Sequence, residues 1–507
     1  MRWSRIPSVV FICLIGFTGG LFAQERAPLT LEQAIDLARR NNPLFQQTLN
    51  DLGPAAWGVR AANANLFLPS ADISFLGAWQ DAGQQRLGAA TFPQPSVLLS
   101  QYQFALSYTL NGNTLFQPGQ RRAERRAVER RIDDAGLQLR NQVTSFYIEV
   151  LRLQERAVQA ERELRRSEEH LRLAEARQEV GAGTRLETMQ ADVARGRAEV
   201  ALLQARNAAR VAKLRLVQAL GVALPAEQID LVSTFEIFEP QLQLETLLND
   251  ALARHPTLVA FQADRSAANS TVKVAKSSYF PTLSLRASWS GFTREETDPD
   301  FTIANSVAQA EGQAATTVLA CDQFADLYAA TGTPAPSPFN NCSAFAFTPA
   351  DSVALDSNIR RANEVFPFNF ENEPLQLSAF FSLPLFNGFG RQLQVEQAIS
   401  LRNDLDHQVR GFELQIRTDV TEAVHNLETA HQTVMLQQEN TERAREELRL
   451  ARERYQLGAG TFLELLDSET LAAQAEVDQI EAIFGFHQSI AALEAAVGRS
   501  VDLTEVR

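Results

Sequence analysis

The sequence predicts a mostly α-helical chain made of one unit used twice, with four alternating β-strands and two long coiled-coil hairpins. Three observations predict it: fragments that recur at fixed offsets, four segments in which apolar residues alternate, and two apolar seams with a heptad rhythm. Leu29-Thr30-Leu31-Glu32 followed by Pro43 returns as Leu242-Gln243-Leu244-Glu245 followed by Pro256, an offset of 213. Phe67-Leu68-Pro69 returns as Tyr279-Phe280-Pro281, an offset of 212. Tyr108-Thr109-Leu110 returns as Phe381-Ser382-Leu383 at 273, and Gly181-Ala182-Gly183-Thr184 as Gly458-Ala459-Gly460-Thr461 at 277. The jump from 212 to 273 places the extra residues in a long loop, 291–373. The two repeats are then 24–240 and 241–507.

The chain starts with an export leader over residues 1–23. Arg2 and Arg5 form its basic end, Val9 to Phe22 its apolar run, and Ala23 a small residue before Gln24. The run is about 14 residues, short of the roughly 20 that span a bilayer, so it reads as cleaved. Cys13 lacks the small residues of a lipid-attachment box, so no acylation is expected. Export to an oxidising space makes Cys321 and Cys342 a candidate disulfide; two unpaired thiols in a loop is the other reading.

In each half an Ala-rich amphipathic stretch, Leu44 to Leu66 or Thr257 to Ser278, reads as helix up to Pro69 or Pro281. The period then becomes two. Ile73, Phe75, Gly77 and Trp79 share one face, as do Tyr102, Phe104, Leu106, Tyr108 and Leu110. In the second half Leu283, Leu285, Ala287 and Trp289 do the same, followed by Leu375, Leu377, Ala379, Phe381 and Leu383. Strands are expected at about 70–81, 99–111, 282–291 and 374–385. Segments of about ten residues, apolar on one side with aromatic residues near an end, suit a transmembrane barrel; a soluble sheet with one buried face fits the strands alone equally well. Four strands cannot close a membrane barrel, so if they span, several chains share one.

After the strands the spacing becomes heptad. One seam runs Leu139, Val143, Phe146, Val150, Leu153, Ala157, Ala160, Leu164; the other runs Ile416, Val420, Ala423, Leu427, Ala430, Val434, Gln437, Thr441. Helices over about 119–180 and 391–457 would be on the order of 90 to 100 Å long. Each runs into Gly-Ala-Gly-Thr, where glycine ends one helix and threonine caps the next. The hairpins are expected at about 119–221 and 388–498. With no following Lys-Ser/Thr and no preceding strand, these turns are not phosphate loops.

Composition limits the function. The 507 residues carry 61 acidic and 47 basic groups, a net charge of −14 that becomes −16 without Arg2 and Arg5, which argues against a nucleic-acid partner. The six histidines, His170, His255, His407, His425, His431 and His487, form no i, i+4 ligand pair, and no nucleophile sits in a recognisable elbow, so neither metal, cofactor nor catalysis is expected.

Over essentially the whole mature chain the sequence resembles the TolC-type outer membrane efflux protein family. The resemblance rests on the Leu-x-Leu-Glu openings, the Phe-Leu-Pro and Phe-Pro strand entries and Leu383-Pro384-Leu385-Phe386-Asn387-Gly388. Above all it rests on Tyr455-Gln456-Leu457-Gly458-Ala459-Gly460-Thr461-Phe462-Leu463-Glu464-Leu465-Leu466-Asp467. It implies a homotrimeric α/β-barrel duct in which four strands per protomer close an outer-membrane barrel, continued by helical hairpins in the periplasm. The partners it implies are a periplasmic adaptor, an inner-membrane transporter and outer membrane lipid. The implied role is the passive exit duct of a tripartite efflux system, or alternatively of a type I protein secretion system.

Glu464 and Asp467 match the family's acidic positions at the periplasmic gate. Three residues apart, the two carboxylates share a helix face, and threefold symmetry would make each a ring that favours cations. The matching first-half positions are Glu187 and Gln190, with one acid only. Gly181, Gly183, Thr184, Gly458, Gly460 and Thr461 match the hairpin tips that meet the adaptor, although Arg185 stands where the second tip has Phe462. The 291–373 loop, long for the family, would lie at the extracellular mouth. Outside the family, heptads and acidity would also suit a soluble periplasmic coiled-coil scaffold.

Overall fold

A computed structural model describes residues 28–501 and 503, apart from 224, 226–228 and 233–235; the leader at 1–23 lies outside the described residues. The first repeat runs β1 (Pro28–Leu29), α1 (Leu31–Asn41), α2 (Pro43–Asn50), α3 (Leu52–Phe67), β2 (Ser70–Gln80), β3 (Gly83–Leu87), β4 (Ala90–Gln94), β5 (Val97–Leu110), α4 (Gly112–Glu179), α5 (Arg185–Leu220) and β6 (Asp230–Leu231). The second runs α6 (Leu244–Arg254), α7 (Pro256–Lys276), β7 (Thr282–Glu296), α8 (Asp300–Ala330), α9 (Pro349–Asn363), β8 (Glu371–Asn372), β9 (Gln376–Ser382), α10 (Gly390–Gln456) and α11 (Phe462–Val497). The chain divides into two compact units, one of residues up to 56 with 123–267 and 401–507, the other of 57–122 and 268–400.

Several boundaries differ from the sequence expectation for identifiable reasons. The helix expected over Leu44 to Leu66 is two, α2 and α3, because Pro54 has no N–H to donate back to Asn50. Helix α4 starts at Gly112 rather than near 119, because Asn111 caps it: the Asn111 carboxamide accepts the Thr114 N–H at 2.9 Å and the Thr114 hydroxyl accepts the Asn111 N–H at 3.0 Å. Strand β9 is only seven residues long, flanked by Pro374 and Pro384.

The helical unit has two cores that repeat each other. In the first, Ala34 and Ala38 of α1 meet Leu139, Val143, Tyr147 and Val150 of α4 and Leu216 and Leu220 of α5. In the second, Leu247 and Ala251 of α6 meet Ile416, Val420, Val424 and Leu427 of α10 and Leu493 and Val497 of α11. Every pair keeps the sequence offset of 213 or 277, so the duplication reaches individual core side chains. Tyr147 replaces Phe146 as the fully buried seam residue, and its hydroxyl donates to the Leu29 carbonyl at 2.7 Å. Along α10 the buried positions Leu427, Val434, Thr441, Leu448 and Tyr455 fall seven apart.

Each core closes on the same joint. Glycine ends α5 at Gly221 (φ 71°) and α11 at Gly498 (φ 85°). Beside Gly221, Asn42 Nδ2 donates to the Ala219 carbonyl at 2.8 Å; in the second half His255 Nε2 lies 3.3 Å from the Ala495 carbonyl. Burial holds His255 below the ordinary histidine range and pushes His487, beside Phe486 in the second core, down to about 4. Above pH 6.5 both histidines are neutral in folded and unfolded chains. As pH falls from 6.5 to about 4, the unfolded chain takes up protons that the folded chain refuses, and stability drops. The thermal midpoint in detergent should therefore fall across that window, and His487→Gln should flatten the fall. A variant whose acid profile overlays wild type would refute the role of His487.

In the other unit β2, β5, β7 and β9 form an antiparallel sheet in that order, with β8 a short addition to β7. Register aligns Ile73 with Phe104 and Phe104 with Trp289, and Tyr108 with Leu285 and Leu285 with Ala379. The apolar residues thus make one continuous face, on which Ile73, Phe75, Trp79, Leu285, Trp289 and Leu377 are exposed. Ser74, Gln103, Ser107, Ser284, Ser288 and Ser378 are on the other face. Among the described residues, β2 is paired on one side only, to β5, and β9 only to β7. No described helix is long and apolar enough to cross a membrane.

The 291–373 segment is mostly ordered structure rather than loop. Strand β7 continues to Glu296, opposite Val97, and α8 and α9 follow. A disulfide joins Cys321 to Cys342, with Cα atoms 5.5 Å apart. Asn363 brackets the end of β7, accepting the Glu296 N–H at 2.8 Å and donating to its carbonyl at 2.7 Å. The Glu295 carboxylate accepts the N–H groups of Val365 and Phe366.

Candidate functional site

The two hairpin tips are built alike. After α4, the N–H groups of Ala182 and Gly183 both donate to the Arg177 carbonyl, at 2.8 and 2.9 Å; after α10, those of Ala459 and Gly460 donate to the Arg454 carbonyl, at 2.9 and 3.1 Å. The reversal needs a left-handed residue, supplied by Gly181 (φ 73°) and Gly458 (φ 76°). Thr184 then caps α5 by accepting the Glu187 N–H at 3.2 Å, and Thr461 caps α11 by accepting the Glu464 N–H at 3.2 Å.

The carboxylates separate the tips. Glu187 Oε2 turns back to accept the Thr184 N–H at 3.3 Å, completing a capping box, so this acid is committed to its own helix end. Glu464 points elsewhere, 3.6 Å from Arg454 Nη2, and both it and Asp467 are exposed. They line an open groove of about 920 Å3 between α10 and α11. Four further acids, Glu439, Glu442, Glu446 and Glu447, share that groove with Arg443 and Arg454. Sequence reading missed these four; their signal was the step of three and then four from Glu439 to Glu442 to Glu446 on one face of α10. Arg449 holds the Glu446 carboxyl below its usual range.

Gln190 lies in a different cavity, of about 610 Å3, lined by α4, α5 and α11 and containing Glu163, His170, Arg197 and Glu469. The structure therefore brings Glu464 and Asp467 together and places Glu187 and Gln190 apart from them. This second cavity adjoins a half-buried ionic network that also escaped sequence reading. Arg166 pairs with Glu163 at 2.8 Å and with Glu476 of α11 at 2.9 Å, Arg445 of α10 reaches Glu476 at 3.2 Å, and His170 faces Glu469. Burial raises the Glu163 carboxyl above its usual range despite Arg166. Burial would also raise Glu476, but hydrogen bonds and charge from Arg166 and Arg445 overrule it and hold that carboxyl low. Below the network, Arg177 lies over the Tyr455 ring at 4.6 Å, and Tyr455 and Phe462 are buried with Ala174 and Ala191. Phe462 thus ties the second hairpin to the first, whereas Arg185 at the matching position is exposed.

Among the described residues no cluster of His, Cys, Asp or Glu is arranged to hold a metal ion. What the site offers a solute is an exposed, mainly anionic surface beside two tight turns.

A family model described as outer membrane efflux protein matches residues 34–222 and 351–499. The chain is 25% identical over 480 residues to the pyoverdine export outer membrane protein OpmQ of Pseudomonas aeruginosa, covering 90% of this chain and 83% of that protein. It is 32% identical over 147 residues to the outer membrane efflux protein BepC of Brucella suis, a stretch that spans 29% of this chain and 31% of that one. Among solved structures, the CmeC outer membrane channel of Campylobacter jejuni superposes with a TM-score of 0.68 at 15% identity, covering 94% of this chain and 87% of that one. The outer membrane protein VceC of Vibrio cholerae gives 0.64 at 17% identity, covering 93% and 96%.

Proposed function

Since the chain belongs to the outer membrane efflux protein family, we propose that it is the exit duct of a tripartite efflux system, a trimer that passively conducts what an inner-membrane transporter delivers through a periplasmic adaptor. The observation that carries this is the strand unit. Among the described residues, its sheet of β2, β5, β7 and β9, with β8 a two-residue addition, exposes one apolar face and leaves β2 and β9 each paired on one side only. Unpaired backbone groups cost several kcal/mol each in lipid, so such a sheet spans only when the edges of neighbouring copies close it. Three copies of four strands give a barrel of twelve, within the size range of outer membrane barrels.

In this reading α4, α5, α10 and α11 continue the duct into the periplasm, and Glu464 and Asp467 ring its inner entrance. The tips at Gly181, Gly183 and Thr184 and at Gly458, Gly460 and Thr461 meet the adaptor. The protein should leave membranes only with detergent, cross-link as a trimer and form conducting steps in planar bilayers. A monodisperse monomer released from the periplasm without detergent would overturn the duct and favour a soluble scaffold.

A further inference from the structure

The ends of α3, α4, α7 and α10 within the strand unit carry a charge pattern that a duct alone does not call for. Residues 57–67, 112–122, 268–280 and 384–400 contain six cations, Arg60, Arg121, Arg122, Lys273, Lys276 and Arg391, and a single carboxylate, Glu396. The opposite end of the same sheet is the reverse. Residues 295–373 hold twelve carboxylates and two cations, Arg360 and Arg361. Arg391 is buried, donating to the Pro384 carbonyl at 2.7 Å and lying over the Tyr279 ring at 5.1 Å; the other five cations are exposed.

Between these cations and the strands lies a belt of exposed apolar side chains. Phe67, Leu115, Phe280, Leu385, Phe386 and Phe389 are all between 46% and 87% exposed. Arg60 is seven residues from Phe67 and Arg122 seven from Leu115, two turns along one helix face, so each cation sits about 10 Å beyond an apolar partner. Lys276 is four residues before Phe280. Arg60 lies over the Trp57 ring at 4.7 Å, and Arg122 Nε donates to the Pro118 carbonyl at 3.0 Å, folding its side chain back towards the strand end. An apolar belt followed within two turns by snorkelling cations matches the step from acyl chain to phosphate, because the interfacial layer is roughly 5 to 8 Å deep on each side of the hydrocarbon.

We propose that these helix ends form a cationic collar that binds the anionic headgroups of phospholipids in the periplasmic leaflet of the outer membrane. The proposal rests on the barrel reading, which sets this end of the sheet on the periplasmic side. The occupant is a lipid surface because the cations adjoin exposed apolar side chains. A soluble anion would not account for that belt.

The test uses the full chain in neutral detergent, titrated with acyl-labelled phosphatidylglycerol and, separately, phosphatidylcholine. Phosphatidylglycerol should bind on the order of tenfold more tightly at low salt, and the preference should shrink as salt rises from about 50 to 500 mM. Replacing Arg60, Arg121, Arg122, Lys273 and Lys276 together by glutamine should abolish the preference while the trimer and its conductance persist; Arg60→Lys with Arg121→Lys and Arg122→Lys should retain it. Equal affinity of the wild-type protein for both lipids, or a preference that survives the fivefold glutamine variant, overturns the collar. Failure of the barrel reading looks different: no conductance and no trimer.

Discussion

Glu464→Gln with Asp467→Asn is expected to lower the cation preference of the reconstituted duct and to change its single-channel conductance. Both carboxylates are exposed, unlike Glu187, and in the proposed trimer threefold symmetry would multiply each change by three. Each unit charge removed within about 4 Å of a passing ion weakens cation enrichment roughly fivefold even in water-like surroundings, less where salt screens it. Reversal potentials across a salt gradient measure the effect. Arg454, 3.6 Å from Glu464, supplies a control of opposite sign: Arg454→Gln should strengthen cation preference. Glu187→Gln should leave selectivity nearly unchanged, because that side chain is spent on the Thr184 N–H, and should keep the cap, since a glutamine carboxamide accepts the same N–H, as Gln33 does from Thr30 at α1. If the Glu464 and Asp467 double variant conducts and selects as wild type does, the gate assignment fails.

Gly221→Ala is expected to destabilise the helical unit strongly. Gly221 has φ 71°, and a Cβ there would stand 2.3 Å from the Asn41 carbonyl oxygen and 2.8 Å from Asn42 Cα, all backbone atoms. The left-handed conformation alone costs an L-residue about 1 to 2 kcal/mol, and the overlap forces α1 and α2 away from α5, so a total of about 3 kcal/mol or more is expected. Gly498→Ala should cost less. Its new Cβ would meet Pro256 Cδ at 2.8 Å, His255 Cδ2 at 2.9 Å and His255 Cα at 3.1 Å, none as close as the Asn41 oxygen stands to the Cβ at Gly221. Gly196→Ala, mid-helix with nothing within 4 Å, should be neutral or stabilising. Thermal loss of helical circular dichroism in detergent ranks the three; equal midpoints for Gly221→Ala and Gly196→Ala would show that the joint is not strained.

The joint also shows why part of the fold was legible and part was not. The offset of 277 that identifies the second hairpin also relates Gly221 to Gly498, and 213 relates Asn42 to His255. Nothing in the sequence says that these two pairs meet. Asn42 and His255 do one job with unlike side chains, so no motif links them. The tip turns were legible because glycine and a capping threonine act within five residues. The step from Glu439 to Glu446 was present but looked like an ordinary solvated face. Helix α8 escaped because its Ala-rich stretch shows no clear amphipathic period, and α9 escaped although Thr348, Pro349 and Asp351 mark its start.

By itself the sequence determined the duplication, the four alternating strands, the heptad seams and the hairpin turns. All of these are local periodicities, set by how a backbone displays side chains every 2 or 3.6 residues. Only the tertiary structure decided which acids share a groove and which are spent on caps, and that Arg166 joins Glu476 across 310 residues of chain. It also decided that cations from four separated helix ends gather below one apolar belt. Charge acts through space, and a charged residue on a helix reads as solvated until its neighbours from other helices are in place.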